Sequence, residues 1–292
     1  MFGTNFVALF AILGLAMVQH VISDQITSKE YKAMMKPANF TGSSTTVNTR
    51  LASLKTALAA YATSKGRTSS GSFTLKSGMP RQVKFYDTWY CDIYTNGYAF
   101  RMRRDSGKTN WEGTLKYRDA SQAVADDRRT KMNQCATTDL GGKFEGDISL
   151  GSSSFIYAYS HDCSISNSKN INILDDVEDT WNEINQVWVN EFGFDMNEDI
   201  YLVNDIVISE KVYSGFKVNF PGTVADFSVS LWYAPSSSTA PVLAELSFTT
   251  DADADTNVDT FWNGFGTATQ LTPWLDPTAL FKTNWMYTQW GC

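Results

Sequence analysis

Short segments in which apolar and polar residues alternate make up most of this chain. A period of two places successive side chains on opposite faces of a strand, so each segment predicts a β-strand with one apolar face. Turn-like residues separate many of these segments, and the loop at residues 234–241 (APSSSTAP) is typical of a hairpin connection. The predicted strands are residues 26–35, 72–76, 82–86, 98–103, 113–118, 143–150, 154–159, 200–209, 212–220, 226–233 and 242–248.

Two other segments carry apolar residues at helical spacing. Residues 47–62 place Val47, Leu51, Leu54 and Leu58 on one face and are rich in alanine. Residues 175–192 begin with acidic side chains, which suit the positive end of a helix dipole. Helices among runs of turn-connected strands predict an α+β fold with an antiparallel sheet, which could close on itself.

Residues 83–104, VKFYDTWYCDIYTNGYAFRMRR, predict two strands around a turn. The Asn-Gly step at 96–97 favours the turn because both residues tolerate positive φ. Beyond it, Arg101 and Arg103 share one face of the strand, and the apolar residues between them point the other way. Two such guanidinium groups suit a polyanion, since arginine binds phosphate oxygens in a bidentate fork. The alternative is a solvated outer face of an antiparallel sheet.

Charged residues two positions apart recur on several of the predicted strands. If these faces converge inside a barrel, its lumen holds acidic and basic patches that must pair or bind ions. If they point outward, they form cross-strand ion pairs in solvent. The charged positions are Glu30 and Lys32, Arg101 and Arg103, Lys116 and Arg118, Glu145 and Asp147, and the single Glu245 in the last strand.

The same segments resemble the CYTH domain of the triphosphate tunnel metalloenzyme superfamily. In that family a Tyr-Asp-Thr motif ends one strand, and a turn leads into an Arg-x-Leu-Arg strand. The matching residues here are 85–88 (FYDT), 96–98 (NGY) and 100–103 (FRMR). The resemblance is good over some twenty residues and loose elsewhere. It implies an eight-stranded antiparallel barrel, open at both ends, with flanking helices.

The resemblance also implies roles for individual residues. Phosphate would be bound by Arg101, Arg103, Lys116 and Arg118, a divalent metal by Glu30, Glu145, Asp147 and Glu245, and catalysis would involve Glu30, Lys32 and Lys116. The implied cofactor is Mg²⁺ or Mn²⁺, and the implied reaction is metal-dependent hydrolysis of triphosphate or polyphosphate.

Two of the metal-binding positions depart from the family pattern. Ser28 and Ser247 stand where the family carries glutamates, and a serine hydroxyl is a poor ligand for a hard cation. The phosphate-binding half is therefore better preserved than the metal-binding half. We expect a barrel that binds a phosphate-rich or polyanionic ligand. Metal-dependent hydrolysis is the further activity that the resemblance implies, but both serines fall in the metal-binding half and favour binding without hydrolysis. The alternative is a non-catalytic extracellular structural or interaction protein that uses the barrel as a scaffold.

The N-terminus predicts secretion. Residues 1–23 contain no Lys, Arg, Asp or Glu, and residues 6–17 are apolar, which is typical of a signal peptide cleaved before Asp24. An uncleaved N-terminal anchor is the alternative. Residues 24–292 are then expected to form a single domain with a Trp-rich C-terminal tail, and no later segment is apolar enough to span a bilayer.

Charge and cysteine content narrow the class of protein further. The formal net charge of −7 argues against a general nucleic-acid binder. Four cysteines behind a signal peptide favour two disulfides, and their spacing leaves all three connectivities open. Asn39, in Asn-Phe-Thr, is a glycosylation acceptor. The cysteines are Cys91, Cys135, Cys163 and Cys292.

An acidic loop follows the last predicted strand. Asp251, Asp253 and Asp255 alternate there, and this spacing can wrap a Ca²⁺ ion. The loop lacks the glycine and the final glutamate of an EF-hand. A solvated acidic loop is therefore the alternative to a weak extracellular calcium site.

Overall fold

The computed structural model describes residues 26–150, 155–181, 184–253 and 256–292. The predicted signal peptide and Asp255 lie outside these residues. The strands are β1 (Ser28–Met35), β2 (Thr68–Leu75), β3 (Arg81–Thr88), β4 (Tyr98–Arg104), β5 (Trp111–Asp119), β6 (Thr138–Ser149), β7 (Phe155–Ile165), β8 (Ile200–Leu202), β9 (Ile208–Phe220), β10 (Thr223–Tyr233) and β11 (Leu243–Asp251). The α-helices are α1 (Ser44–Ser64), α2 (Asp92–Thr95), α3 (Gln122–Lys131), α4 (Leu174–Glu178), α5 (Asn185–Trp188), α6 (Thr256–Asn263) and α7 (Lys282–Trp290), and Pro37–Phe40 and Val203–Asp205 form 3₁₀ helices.

The strands close into a ring, which confirms the expected α+β barrel with flanking helices. The order around the ring is β9, β10, β11, β1, β6, β7, β5, β4 and β3, and β3 returns to pair with β9. The described part of the ring therefore has nine strands where eight were expected. β1 and β6 are parallel, and the other neighbours in the ring are antiparallel. β2 and β8 are additional strands paired to β9 and β3.

The main apolar cores lie outside the ring, between the strands and the helices. On β1, Tyr31 is fully buried and stacks on Phe248 of β11 with ring centroids 4.7 Å apart. Leu51 and Leu58 of α1 join the same core. Because side chains alternate along a strand, burying these residues outside the ring turns their charged neighbours toward its interior.

A second outer core covers β4, β5 and β7, and it corrects the predicted helix at residues 175–192. Trp181 leaves the helical path to form an isolated bridge with Cys135, and the indole N–H of Trp181 donates to the His161 carbonyl at 3.1 Å. Only the short helices α4 and α5 form on either side. Cys135 is also disulfide-bonded to Cys163 in β7.

The predicted strand at residues 200–209 is likewise interrupted. β8 ends at Leu202, and a 3₁₀ turn follows in which Asn204 and Asp205 have φ of 61° and 51°. Left-handed residues cannot continue a strand, so β9 begins only at Ile208.

The C-terminal helix α7 packs against the inner face of the ring. Met286 and Tyr287 are fully buried in a cluster that includes Phe85 of β3 and Trp232 of β10. The second disulfide, Cys91–Cys292, ties the end of the chain to the segment after β3, which confirms the expectation of two disulfides. Among the described residues, no helix combines the length and the apolar character needed to cross a membrane.

Candidate functional site

Strand register brings the predicted charged residues to one face of the ring. Arg101 of β4 is opposite Thr114 of β5, and Arg103 is opposite Glu112. Thr114 in turn is opposite Asp162 of β7. Residues directly opposite each other in a sheet share a face, so these side chains line the same inner surface. This charged, closed ring is the tunnel arrangement that the resemblance to the CYTH superfamily implies.

Three arginines form the basic part of the lumen. Arg103 makes an ion pair with Glu112 and lies 3.8 Å from Asp162. Arg81 of β3 makes an ion pair with Glu210 at 2.5 Å. Arg101, on the same face of β4 as Arg103, makes no ion pair with a described residue.

Arg101 is therefore the least compensated cation of this group. Its Nη2 donates to Thr114 Oγ1 at 3.2 Å, and its buried Nε has no acceptor among the described residues. The Nε of Arg103 is also buried without an acceptor. Burial, with the neighbouring charges of Arg103 and Arg81, lowers the pKa of Arg101 to about 9. An anion placed here would relieve both the charge and the missing hydrogen bonds.

Three of the four predicted metal-binding carboxylates come together. One carboxylate oxygen each from Glu30, Glu145 and Asp147 lies within 4.8 Å of the others. Such a set of hard oxygen donors fits Mg²⁺ or Mn²⁺. Lys32 lies 2.8 Å from Glu30 and 3.0 Å from Asp147, and Lys116 lies 3.3 Å from Asp147. A bound cation would have to displace at least one of these two ammonium groups.

Neighbouring cations favour the ionised forms of Glu30 and Asp147. Burial alone would raise the pKa of Asp147, but Lys116, Lys32 and Arg118 outweigh it and hold the pKa far below its usual value. The same balance lowers the pKa of Glu30 through Lys32 and Lys116. Burial lowers the pKa of Lys116 in spite of Asp147, with Lys32 and Arg118 adding to the effect. Lys116 is consequently the ammonium group that a metal ion would displace more easily.

The fourth predicted metal ligand, Glu245, lies apart from this group. Lys282 at the start of α7 places its Nζ 2.9 Å from Glu245 and 3.2 Å from Glu210. Sequence reasoning missed Lys282, Glu210 and Arg81 as lumen residues. Alternation along single strands could not show that a helix reaches the lumen.

The two serines that replace family glutamates are near the acidic group. Ser28 Oγ donates to Glu145 Oε1 at 3.4 Å. Ser247 is opposite Lys32 in the β1–β11 ladder. Carboxylates at these positions would add negative charge beside the existing three.

The remaining sequence predictions concern other surfaces. Asp251 and Asp253 are exposed at the end of β11, and the calcium site stays a prediction because its third aspartate is outside the described residues. Asn39 donates through Nδ2 to the Pro273 carbonyl at 3.1 Å, and its glycosylation also stays a prediction. Cys135 and Cys163 lie close to His161, but their sulfurs are joined to each other and cannot serve as thiolate ligands.

Comparisons with known proteins give likeness in fold only. No protein-family model matches the chain, and no curated protein sequence matches it. A Hippeastrum protein described as a candidate adenylyl cyclase with a dominant triphosphatase activity covers 89% of this chain and 94% of its own, with a TM-score of 0.45 and 13% identity. A candidate adenylate cyclase from Bacillus halodurans covers 89% of this chain and 98% of its own, with a TM-score of 0.39 and 8% identity. At these scores the likeness carries no argument about activity, and the tunnel rests on this chain's own strand pairing.

Proposed function

We propose that the tunnel binds a phosphate-rich anion, such as tripolyphosphate or the triphosphate of a nucleotide, at Arg81, Arg101 and Arg103. The observation that carries this proposal is the partly buried Arg101 guanidinium, whose Nε is buried without an acceptor and which has a hydroxyl partner but no carboxylate partner among the described residues. Buried cations are normally paired, so the group is suited to an anion that arrives from solution.

A phosphate chain suits Arg101 and Arg103 better than a single carboxylate does. Guanidinium forks bind phosphate oxygens in pairs, and the buried Nε atoms of Arg101 and Arg103 both lack an acceptor. Several oxygens along one chain can satisfy both groups at once. Lys116 and Arg118, on the same face of β5, extend the basic surface toward Asp147.

The acidic group Glu30, Glu145 and Asp147 would hold a divalent cation beside the phosphate chain. When bound, Mg²⁺ or Mn²⁺ would neutralise charge on the phosphate oxygens. Lys32 would remain to orient Glu30 and Asp147, since its ammonium group contacts both carboxylates.

Binding without efficient hydrolysis is the outcome that the site favours. The metal-binding carboxylates are already neutralised by Lys32 and Lys116, and Ser28 and Ser247 supply no further negative charge. A protein that uses the barrel only as an extracellular scaffold would need none of these buried charges. The two disulfides and the apolar N-terminal run support secretion as part of the proposal.

Thermal unfolding with and without ligand tests the proposal. Tripolyphosphate, nucleoside triphosphates and sulfated glycans, each with and without Mg²⁺, Mn²⁺ or Ca²⁺, should be compared, because a ligand of the folded state raises its melting temperature. We expect tripolyphosphate to stabilise the wild type. Arg101→Met should weaken binding roughly 10- to 100-fold, since one charge-assisted contact is worth about 1.5–3 kcal/mol. Arg50→Met, which removes an exposed arginine of α1, is the matched control and should bind like the wild type. Equal stabilisation of both variants would refute the tunnel site.

A further inference from the structure

A cluster of aromatic side chains lies on the protein surface, around the segment that follows β3. Trp89 and Tyr90, directly after β3, are 66% and 75% exposed, and Tyr201 of β8 is 42% exposed. The rings of Trp89 and Tyr201 are 6.0 Å apart, and those of Trp89 and Trp290 are 6.2 Å apart. We refer to Trp89, Tyr90, Tyr201 and Trp290 as the aromatic patch. Neighbouring exposed aromatic rings of this kind are typical of binding surfaces.

The backbone segment that carries Trp89 is anchored on both sides. The buried carboxylate of Asp87 accepts backbone hydrogen bonds from Thr88, Ile93 and Tyr94 at 2.8–2.9 Å. Cys91 is disulfide-bonded to the end of the chain. Anchors on both sides of Trp89 hold the ring outward, so a partner would lose little conformational freedom of the protein on binding.

The geometry of the rings leaves an aromatic face available. Tyr201 and Trp290 approach Trp89 with interplanar angles of 79° and 83°. Two thirds of Trp89 is nevertheless exposed, so much of the indole remains open beside these two neighbours. The indole face is the strongest side-chain site for a cation–π contact.

Acidic side chains border the aromatic patch. The Tyr201 hydroxyl lies 3.5 Å from Asp199 Oδ2, which places a carboxylate directly beside the rings. Partial burial, followed by the charges of Asp92, Asp195 and Asp199, raises the pKa of the adjacent Glu198. None of these four acidic residues forms an ion pair with a residue in the described ranges. The border of the patch is therefore negatively charged without internal compensation.

We propose that the aromatic patch is a docking surface for a basic, extended peptide segment of a partner protein. An arginine or lysine of that segment would lie over the Trp89 ring, and further basic residues would face Asp199, Glu198 and Asp92. Charge complementarity selects this occupant, since an open indole face and unpaired carboxylates both attract cations. The tunnel ligand is proposed at other residues, Arg81, Arg101 and Arg103, so separate variants test the two sites.

Fluorescence anisotropy with a fluorescein-labelled peptide of alternating arginine and glycine tests the surface. Trp89→Ala should weaken binding about two- to fivefold, the effect of one exposed cation–π contact, and Trp89→Phe should retain part of the affinity. Asp199→Asn should also weaken binding, more strongly at low salt. Asp253→Asn is the matched control. It removes an exposed carboxylate that follows the last residue of β11, whereas α7 contacts the first half of that strand through Lys282 and Glu245.

The outcomes separate the proposal from its alternatives. Weaker binding by the Trp89 and Asp199 variants, with normal binding by the Asp253 variant, supports the docking surface. Equal loss in the Asp199 and Asp253 variants would show attraction to overall negative charge and overturn it. Saturable binding of a neutral oligosaccharide that depends on Trp89, without peptide binding, would also overturn it. Unchanged melting temperatures would show that the variants are folded.

Discussion

The ion pairs of Lys282 allow a quantitative test of how α7 is held against the ring. Replacing Lys282 by methionine keeps an unbranched side chain near the Trp232 ring, over which the ammonium group lies at 5.6 Å from the centroid. The same change removes the contacts with Glu245 at 2.9 Å and Glu210 at 3.2 Å. Glu210 keeps Arg81 as a partner, whereas Glu245 keeps no ion pair among the described residues.

The expected loss of stability follows from burial of the three side chains. Glu210 and Glu245 are 3% and 7% exposed, and Lys282 is 20% exposed. Removing one partner of a fully buried pair costs about 3–5 kcal/mol. Because Lys282 is partly solvated and Glu210 stays paired, we expect a loss of about 2–3 kcal/mol. For a chain of this size that loss corresponds to a melting temperature lower by roughly 4–10 °C.

Thermal unfolding of three variants separates the ion pair from general effects of the substitution. Lys282→Met should lose the expected stability, and adding Glu245→Gln should restore much of it by removing the unpaired charge. Lys76→Met is the control, because Lys76 is exposed and forms no ion pair with a described residue. It should change stability by less than about 0.5 kcal/mol. A Lys282→Met protein that melts within about 1 °C of the wild type, or a double variant less stable than the single one, would refute this account of α7.

Three further predictions concern the metal half, the buried Asp87 and the terminal disulfide. Ser28→Glu combined with Ser247→Glu should raise Mn²⁺-dependent tripolyphosphate hydrolysis above that of the wild type in a colorimetric phosphate assay. Efficient hydrolysis by the wild type that Glu30→Gln abolishes would contradict the proposal of binding without efficient hydrolysis. Burial raises the pKa of Asp87 to about 7 in spite of its backbone hydrogen bonds, so its contribution to stability should fall as pH rises from about 4 to about 7. Urea titrations should show this fall of the unfolding free energy with pH in the wild type and not in Asp87→Asn. Equal pH dependence in the two proteins would contradict the raised pKa. Replacing Cys91 and Cys292 by serine opens a loop spanning 201 positions and should cost up to about 5 kcal/mol, so an unchanged urea midpoint would show that the disulfide does not stabilise the fold.

Local alternation was enough to predict which side chains share a face. Arg101 and Arg103 point to the lumen, and Phe100 and Met102 are buried in an outer core, as a period of two requires. The helix around Leu51 was also predicted, because its apolar positions repeat at 3.6 residues. These features depend only on neighbours along the chain.

Features that depend on distant partners could not be predicted in the same way. The predicted helix at residues 175–192 has suitable spacing, yet Trp181 is held by a bridge to Cys135, which is far away in sequence. Glu245 alternates as expected, but its partner Lys282 comes from a different element. Strand order and helix packing decide both outcomes, and neither is encoded in the period of a single segment.

The central claim is that a phosphate chain binds inside the ring at Arg101. A crystal structure of the wild type with tripolyphosphate tests this claim most directly. We expect phosphate oxygens within hydrogen-bonding distance of the Nε atoms of Arg101 and Arg103, with Glu30, Glu145 and Asp147 facing the same phosphate chain across the lumen. Tripolyphosphate bound on the outer surface, with the inner arginines retaining their present contacts, would contradict it.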